Sequence, residues 1–503
     1  MKLFTLGSTG KCSNNEGYFG AVLTPTALKT SYRFKLGSLL ILMIFGLAML
    51  MPSKMQAQHP YGFLDGNVTS NNAELDWDDV YTGIGLPAGS ISTGIVFDVA
   101  SPDDIFTGGS TKDHLPLSGW LNKFQNGSSS DKTNIQQAGA ILIDGRIYFF
   151  GNRFSNEGAT NIGFWFFQDD VNILNGSFEG EHQVGDILVV AEISKGGAVG
   201  KIAAYQWVGK GNGDLPGGED SLIQIVDEEN PQPNLLSAVV NAVSTTTPWP
   251  YQGKGEMQAN TMQEISFFEG FINIAGLQLS NACFSSFLVE TRASFSVTSV
   301  LEDFVGSNFN VQPTIQIDDI TDCEDTFPQS LSAIVNGGIP PLTFEWKKDG
   351  EVIEDEISSS LLVSESGTYS VIVTGQGIGG IGTCPSESDS AVVILIDNPD
   401  ITTQPLNACE IGITGKADFT LADGLSVSEG TISFYDSQAH ADAGGDTGKL
   451  SSPYNAADGT TVYVRAENSS DATCYSTDSF LLTVYDNPDI TTQPLNACEI
   501  GIT

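Results

Sequence analysis

The chain reads as all-β: an N-terminal lectin-like or jelly-roll β-sandwich followed by tandem Ig-like β-sandwich modules. Strand-length apolar runs alternate with Gly, Asn, Ser and Pro clusters along most of it. No run of ten or more residues between 58 and 310 carries a helical period. The eighteen residues Asp397–Thr414 recur unchanged at Asp486–Thr503, an offset of 89 residues. A period of that size is one sandwich module with its own core. The copy broken off at Thr503 leads to the expectation that the array continues beyond it.

Residues 1–57 are expected to be removed. Lys29, Arg33 and Lys35 precede the apolar run Leu36–Met51, and Pro52 and Met55-Gln56-Ala57 follow it. Basic region, apolar core and small-residue site in that order make a signal peptide with a long N-terminal extension, cut after Ala57. Sixteen residues is short for a span, and no later segment could be one, so no membrane insertion is expected after cleavage. The chain has 21 Lys and Arg against 61 Asp and Glu, a net charge of −40. Losing 1–57 removes six bases and one acid, leaving 15 against 60. So acidic a surface repels nucleic acid and anionic lipid and attracts divalent cations.

Residues 58–310 are aromatic-rich and unrepeated. Ala140–Ile143 and Arg146–Phe150 flank Asp144-Gly145, the signature of a hairpin with a type I′ turn. Further strands are expected at Ile162–Gln168, Asp186–Ile193, Lys201–Val208, Glu264–Ile274, Ser285–Glu290 and Ser294–Leu301. So many strands in about 250 residues predict one antiparallel sandwich, the head domain.

The texture changes near residue 311. In 311–396, Asn336–Pro341 leads into Leu342–Trp346, and Ser366–Tyr369 leads into Ser370–Thr374. Short strands with a turn every ten residues or so describe an Ig-like sandwich. These residues resemble Ig-like and PKD-like modules of bacterial surface proteins. The next module, 397–485, contains Ile432-Ser-Phe-Tyr435, Ser437-Gln-Ala-His-Ala-Asp-Ala-Gly444, Asn455, Thr461-Val-Tyr-Val-Arg465 and Cys474-Tyr475. Over most of its length it resembles the tandem repeats of large, type IX-secreted surface adhesins of gliding bacteria. Phe106–Asp113, Gly163–Gln168 and Cys283–Phe287 with Glu290-Thr-Arg292 resemble a head domain of such proteins that has no known activity. The resemblance implies export by a two-step route that reads a C-terminal sorting domain. Asp-Asn-Pro-Asp stands at both module ends, 397–400 and 486–489, where proline stiffens the joint; 486–503 would open a further repeat.

Beyond residue 57 the cysteines are Cys283, Cys323, Cys384, Cys409, Cys474 and Cys498. Spacing suggests one bridge within each module, Cys323–Cys384 and Cys409–Cys474, each contributing about 4 kcal/mol in an oxidising compartment. Cys384 lies fifteen residues after Tyr369 where antibody domains have two, so that bridge would tie one end of the sandwich. Cys498 repeats Cys409 and would find its partner further on. Cys283 is left over, as a buried thiol.

Catalytic constellations are not evident. Gly375-Gln-Gly377-Ile-Gly-Gly380 fits a dinucleotide fingerprint but runs into Gly382-Thr-Cys-Pro385, where no helix can start to receive a pyrophosphate, and reads as a hairpin loop. The four histidines, His59, His114, His182 and His440, form no zinc or triad motif, and His182 reads as a polar loop residue. The acidic pairs Asp76/Asp78/Asp79, Asp169/Asp170, Glu179/Glu181 and Glu264/Glu269 could serve a glycosidase, but pairs arise readily in so acidic a chain. Structural calcium is the better use of the acidity. Its candidates are Asp76, Asp78 and Asp79, and Asp214, Glu219 and Asp220, although neither loop has EF-hand spacing. Phe164–Phe167 alternates faces on a strand, with burial on both faces the plainer reading. Glycan stacking, where present, is expected at Trp120, Trp207 and Trp249.

The expected function is that of a secreted, cell-surface, non-enzymatic protein. It would serve adhesion or surface display, with the repeats as stalk and an extracellular glycan or surface ligand for the head. The alternatives are the N-terminal or accessory part of a secreted polysaccharide hydrolase, and a passive stalk or surface-layer component.

Overall fold

The computed structural model describes residues 61–490 and 492–493, apart from 71–73, 99–102, 108, 110, 210–220, 231, 256–257, 280–281 and 489. The expected signal segment, the loop with Asp214, Glu219 and Asp220, and Cys498 lie outside the described residues. What is described is all-β, and no helix in it is long and apolar enough to cross a membrane.

Two antiparallel sheets build the head. The six-stranded sheet centres on Ile135–Ile143, Arg146–Arg153 and Phe267–Asn273. The eight-stranded sheet centres on Ile187–Ile193, Thr160–Phe167, Ser286–Arg292 and Leu301–Asn308. Phe149, Phe164, Phe166, Val189, Phe268 and Phe287 fill the space between them. Each outer face is also covered. Trp120, Trp165, Phe167 and Trp207 pack behind the eight-stranded sheet, and Phe63, Trp77, Phe150 and Trp249 behind the six-stranded one. Three apolar layers explain why all nine residues of Ile135–Ile143 are buried.

The hairpin at Asp144-Gly145 forms as expected, with φ of 49° and 75° and Ile143 opposite Arg146. Ser294–Leu301 does not form the expected strand. The Ser294 N–H donates to Ser299 Oγ and the Ser299 N–H to the Ser296 carbonyl, so local serine bonds make a turn there and the strand begins at Leu301. A short helix, α1 (Trp77–Thr82), is set by the Asp76 N-cap and Gly83 in the left-handed region.

The two following modules share one topology. In the first, Ile320–Cys323 runs parallel to Asp389–Ile396, and in the second Leu406–Cys409 runs parallel to Tyr475–Tyr485. Each last strand pairs in turn with Gly367–Gln376 or Thr460–Glu467. Trp346 is fully buried in the first core and donates from Nε1 to the Ser358 carbonyl. The Tyr369 hydroxyl donates to the Glu365 carbonyl 3.0 Å away, a tyrosine corner of the Ig kind. Phe419, Val462, Val464, Phe480 and Leu482 fill the second core.

Candidate functional site: disulfide-tied joints

The cysteines sit at opposite ends of each module. Cys323 closes the strand Ile320–Cys323 and lies opposite Ile396, at the end of the last strand. Cys384 lies before that last strand starts. In the second module Cys409 is opposite Tyr485, while Cys474 immediately precedes Tyr475. The last strands have 8 and 11 residues and so span about 26 and 36 Å, and a disulfide needs Cα atoms within about 7 Å. The expected bridges Cys323–Cys384 and Cys409–Cys474 are therefore corrected. The bonds formed are Cys283–Cys384 and Cys323–Cys474, 101 and 151 residues apart, and both run between domains. Cys283 is no free thiol; among the described residues the unbonded one is Cys409, which is exposed.

At the joint between the head and the first module, Ile378 and Cys384 enter the main core of the head. The glycine run Gly375–Gly380 makes this approach feasible. Gly379 has φ of +67°, and a Cβ there would stand 2.5 Å from Ala275 Cβ. The residues that mimic a dinucleotide fingerprint thus form a docking loop. The Gln312 N–H donates across the joint to the Phe284 carbonyl at 3.2 Å, and Gln312 Nε2 donates within the module to the Pro385 carbonyl at 2.9 Å. A cleft of about 900 Å³ opens beside it, lined in part by Asp169, Asp170, Glu387 and Asp389. Burial, with the Asp169 and Glu387 charges, holds the Asp170 carboxyl above its ordinary range.

At the second joint, Arg465 shapes the loop that carries Cys474. Its Nη1 donates to the carbonyls of Ala441 and Asp442, its Nη2 to that of Ala472, and its Nε to Glu467 Oε1. The guanidinium also lies 3.4 Å from the centre of the Tyr475 ring. Helix α2 (Gln438–Ala443), capped by Ser437, supplies two of those carbonyls. The linker is bonded from both sides: the Asn398 N–H donates to Glu324 Oε1, and Asn468 Nδ2 to the Asp397 carbonyl. The far end of the second module repeats the first of these bonds, with the Asn487 N–H on Glu410 Oε1 at 3.2 Å. Glu410 follows Cys409 as Glu324 follows Cys323.

Residues 405–488 match the family described as the Flavobacterium inter-domain disulphide bond domain. The matched stretch contains both Cys409 and Cys474. No curated protein sequence matches the chain. Among solved structures it is similar to immunoglobulin domains 1–5 of Sidekick-1, at 11% identity over 76% of this chain and 79% of that one, with a TM-score of 0.20. Extracellular domains 3–5 of Drosophila OTK align at 10% identity over 50% and 91%, TM-score 0.23. A Ca²⁺-stabilized adhesin that helps an Antarctic bacterium bind ice aligns at 12% over 68% and 94%, TM-score 0.22. At these TM-scores none of the three bears on fold or function here.

The other candidates fall elsewhere. Trp120, Trp207 and Trp249 are at most 4% exposed, so none offers a ring to a sugar, a correction that follows from the covered outer faces of the sheets. Trp207 stacks on His182 with ring centres 4.0 Å apart. His182 lies in the loop before Ile187–Ile193, with its side chain buried against Asp186; burial holds its pKa down and that of Asp186 up. Asp76, Asp78 and Asp79 do not form an open cation loop. Asp76 caps α1 through the Trp77 N–H, Asp78 accepts from the Ser70 N–H and hydroxyl, and Asp79 accepts from the Asp76 N–H.

The structure does bring Asp76 to Glu269, with Trp77 between them donating from its N–H to Asp76 and from Nε1 to Glu269 Oε2. Burial pushes Asp76 up to about 9, helped by the Glu269 charge, and burial pushes Glu269 up to about 8. The pair lines neither the joint cleft nor the smaller cavity beside Gly145.

Proposed function

We propose that this chain is an exported surface protein whose Ig-like modules form a stalk tied covalently to the head and to one another, and that its work is adhesion or display. The observation that carries the reading is that both disulfides run between domains. Such bonds persist where thiols are not continually reduced, as outside the cytosol. Each module already has its own apolar core, so a bond between modules chiefly limits bending and separation at the joint. That suits a stalk bearing load. The inter-domain disulphide family match over 405–488 and the resemblance to surface adhesin repeats support the same reading. Cys409, with Glu410 and Asn487 arranged as at the preceding joint, is then the half-joint for a further module.

Labelling intact cells with an antibody against the head tests this. Surface labelling that protease treatment of intact cells removes is expected, together with Cys409 recovered from native protein in a disulfide to a following domain. A head accessible only after lysis, or Cys409 recovered as a thiol, contradicts it.

A further inference from the structure

The head contains a carboxylate cluster that the joints do not use. Asp98 follows the short strand Val96–Phe97 of the six-stranded sheet. Asp103 opens the strand Asp103–Phe106, and Asp303 lies in its neighbour Leu301–Asn308 in the eight-stranded sheet. One oxygen from each lies within 4.8 Å of the other two. Asp103 and Asp303 are 2% and 0% exposed, and among the described residues neither has a basic partner.

Backbone and side-chain donors fix the carboxylates. Asp103 Oδ2 accepts from the Ser129 N–H at 3.0 Å, the Ser129 hydroxyl at 2.6 Å and Asn134 Nδ2 at 3.1 Å. Asp303 accepts from the Ile135 N–H at 2.6 Å and the Phe304 N–H at 2.9 Å. Asp103 Oδ1 is left buried with no donor. A residue outside the acidic set points the same way. The Asn134 carboxamide, 7% exposed, is held against Asp103 through Nδ2, yet its own Oδ1 is buried and receives nothing. Both unsatisfied atoms are acceptors, and buried acceptors are rarely left without a partner. A cation supplies one to all of them at once.

We propose that Asp98, Asp103 and Asp303, with Oδ1 of Asn134, bind one calcium ion. Every ligand is a hard oxygen, and no thiolate or imidazole is present to favour a transition metal. Three carboxylates and an amide oxygen suit calcium, which takes six to eight oxygen ligands, better than magnesium, which keeps most of its waters. Water completes the shell. Asp98 and Asn134 border strands of one sheet, and Asp103 and Asp303 belong to the other, so the ion clamps one sheet to the other.

The test is hydrogen exchange by mass spectrometry on the full chain, stripped with EDTA and then titrated with calcium chloride. Calcium should slow exchange at least tenfold in peptides covering 103–106, 129–135 and 301–304, and equal magnesium should not. Asp98→Asn and Asp103→Asn should each weaken half-saturation at least tenfold with unchanged circular dichroism. Unaltered exchange in those peptides, protection confined to other regions, or protection that survives in Asp103→Asn overturns the site. Where a variant fails to fold, the wild-type exchange pattern decides alone between these results.

Discussion

Replacing Cys323 and Cys474 together by serine removes the tie between the two Ig-like modules. In the chain-entropy treatment a closed loop of 151 residues is worth about 5 kcal/mol. If the second module opens while the first stays folded, the free loop shortens to the roughly 77 residues from Asp397 to Cys474, still worth about 4.5 kcal/mol. A bridge within one module would have nearly the same magnitude, so size does not distinguish the pairings. Location does, because Cys323 lies in the first module and its loss should weaken the second. The assay is urea unfolding of the full chain followed by hydrogen exchange, which reads each module separately. With a slope of about 1–2 kcal/mol per molar, the midpoint of 397–485 should fall by about 2–4 M in Cys323→Ser/Cys474→Ser. The single variant Cys323→Ser should shift it comparably. A second module unmoved by Cys323→Ser would refute the reasoning.

Further consequences concern the head and the two joints. Asp76 and Glu269 stay protonated in the folded head well above their ordinary pKa values, with folded values of about 9 and 8. Stability is therefore fullest below about pH 4 for these groups and falls as pH rises toward 8–9, by about 1.4 kcal/mol per pH unit for each proton held. Asp76→Asn keeps the helix cap, removes one of those protons and should flatten the decline in head melting temperature between pH 5 and 9; an unchanged slope would count against it. Gly379→Ala should cost about 2 kcal/mol and speed exchange at 274–277 and 378–384, since both its φ and Ala275 oppose a Cβ. Arg465→Met removes four hydrogen bonds from the Cys474 loop and should cost the second module about 3 kcal/mol. A measurable fraction of Cys474 should then become open to alkylation; full protection would mean that Arg465 does not position it.

Local signals in the sequence predicted local structure well. Asp144-Gly145 specifies its turn because both residues accept positive φ, and Phe164–Phe167 lies on a strand buried from both sides. The cysteine pairing was less legible, because spacing along the chain does not reveal which end of a sandwich a residue occupies. A clue was present: Cys283 had no partner, and shifting every pair one domain toward the N-terminus accounts for it. Tryptophan content announced the head's aromatic layers, but their position under loops, out of reach of a sugar, is tertiary. Asp98, Asp103 and Asp303 meet only in the folded head, and nearly 200 residues separate the last two.

The central claim is that the disulfides join domains. Proteolysis of native protein under non-reducing conditions, with thiols blocked, followed by mass spectrometry of linked peptides tests it directly. The account predicts peptides joining Cys283 to Cys384 and Cys323 to Cys474. Peptides joining Cys323 to Cys384 and Cys409 to Cys474 would contradict it.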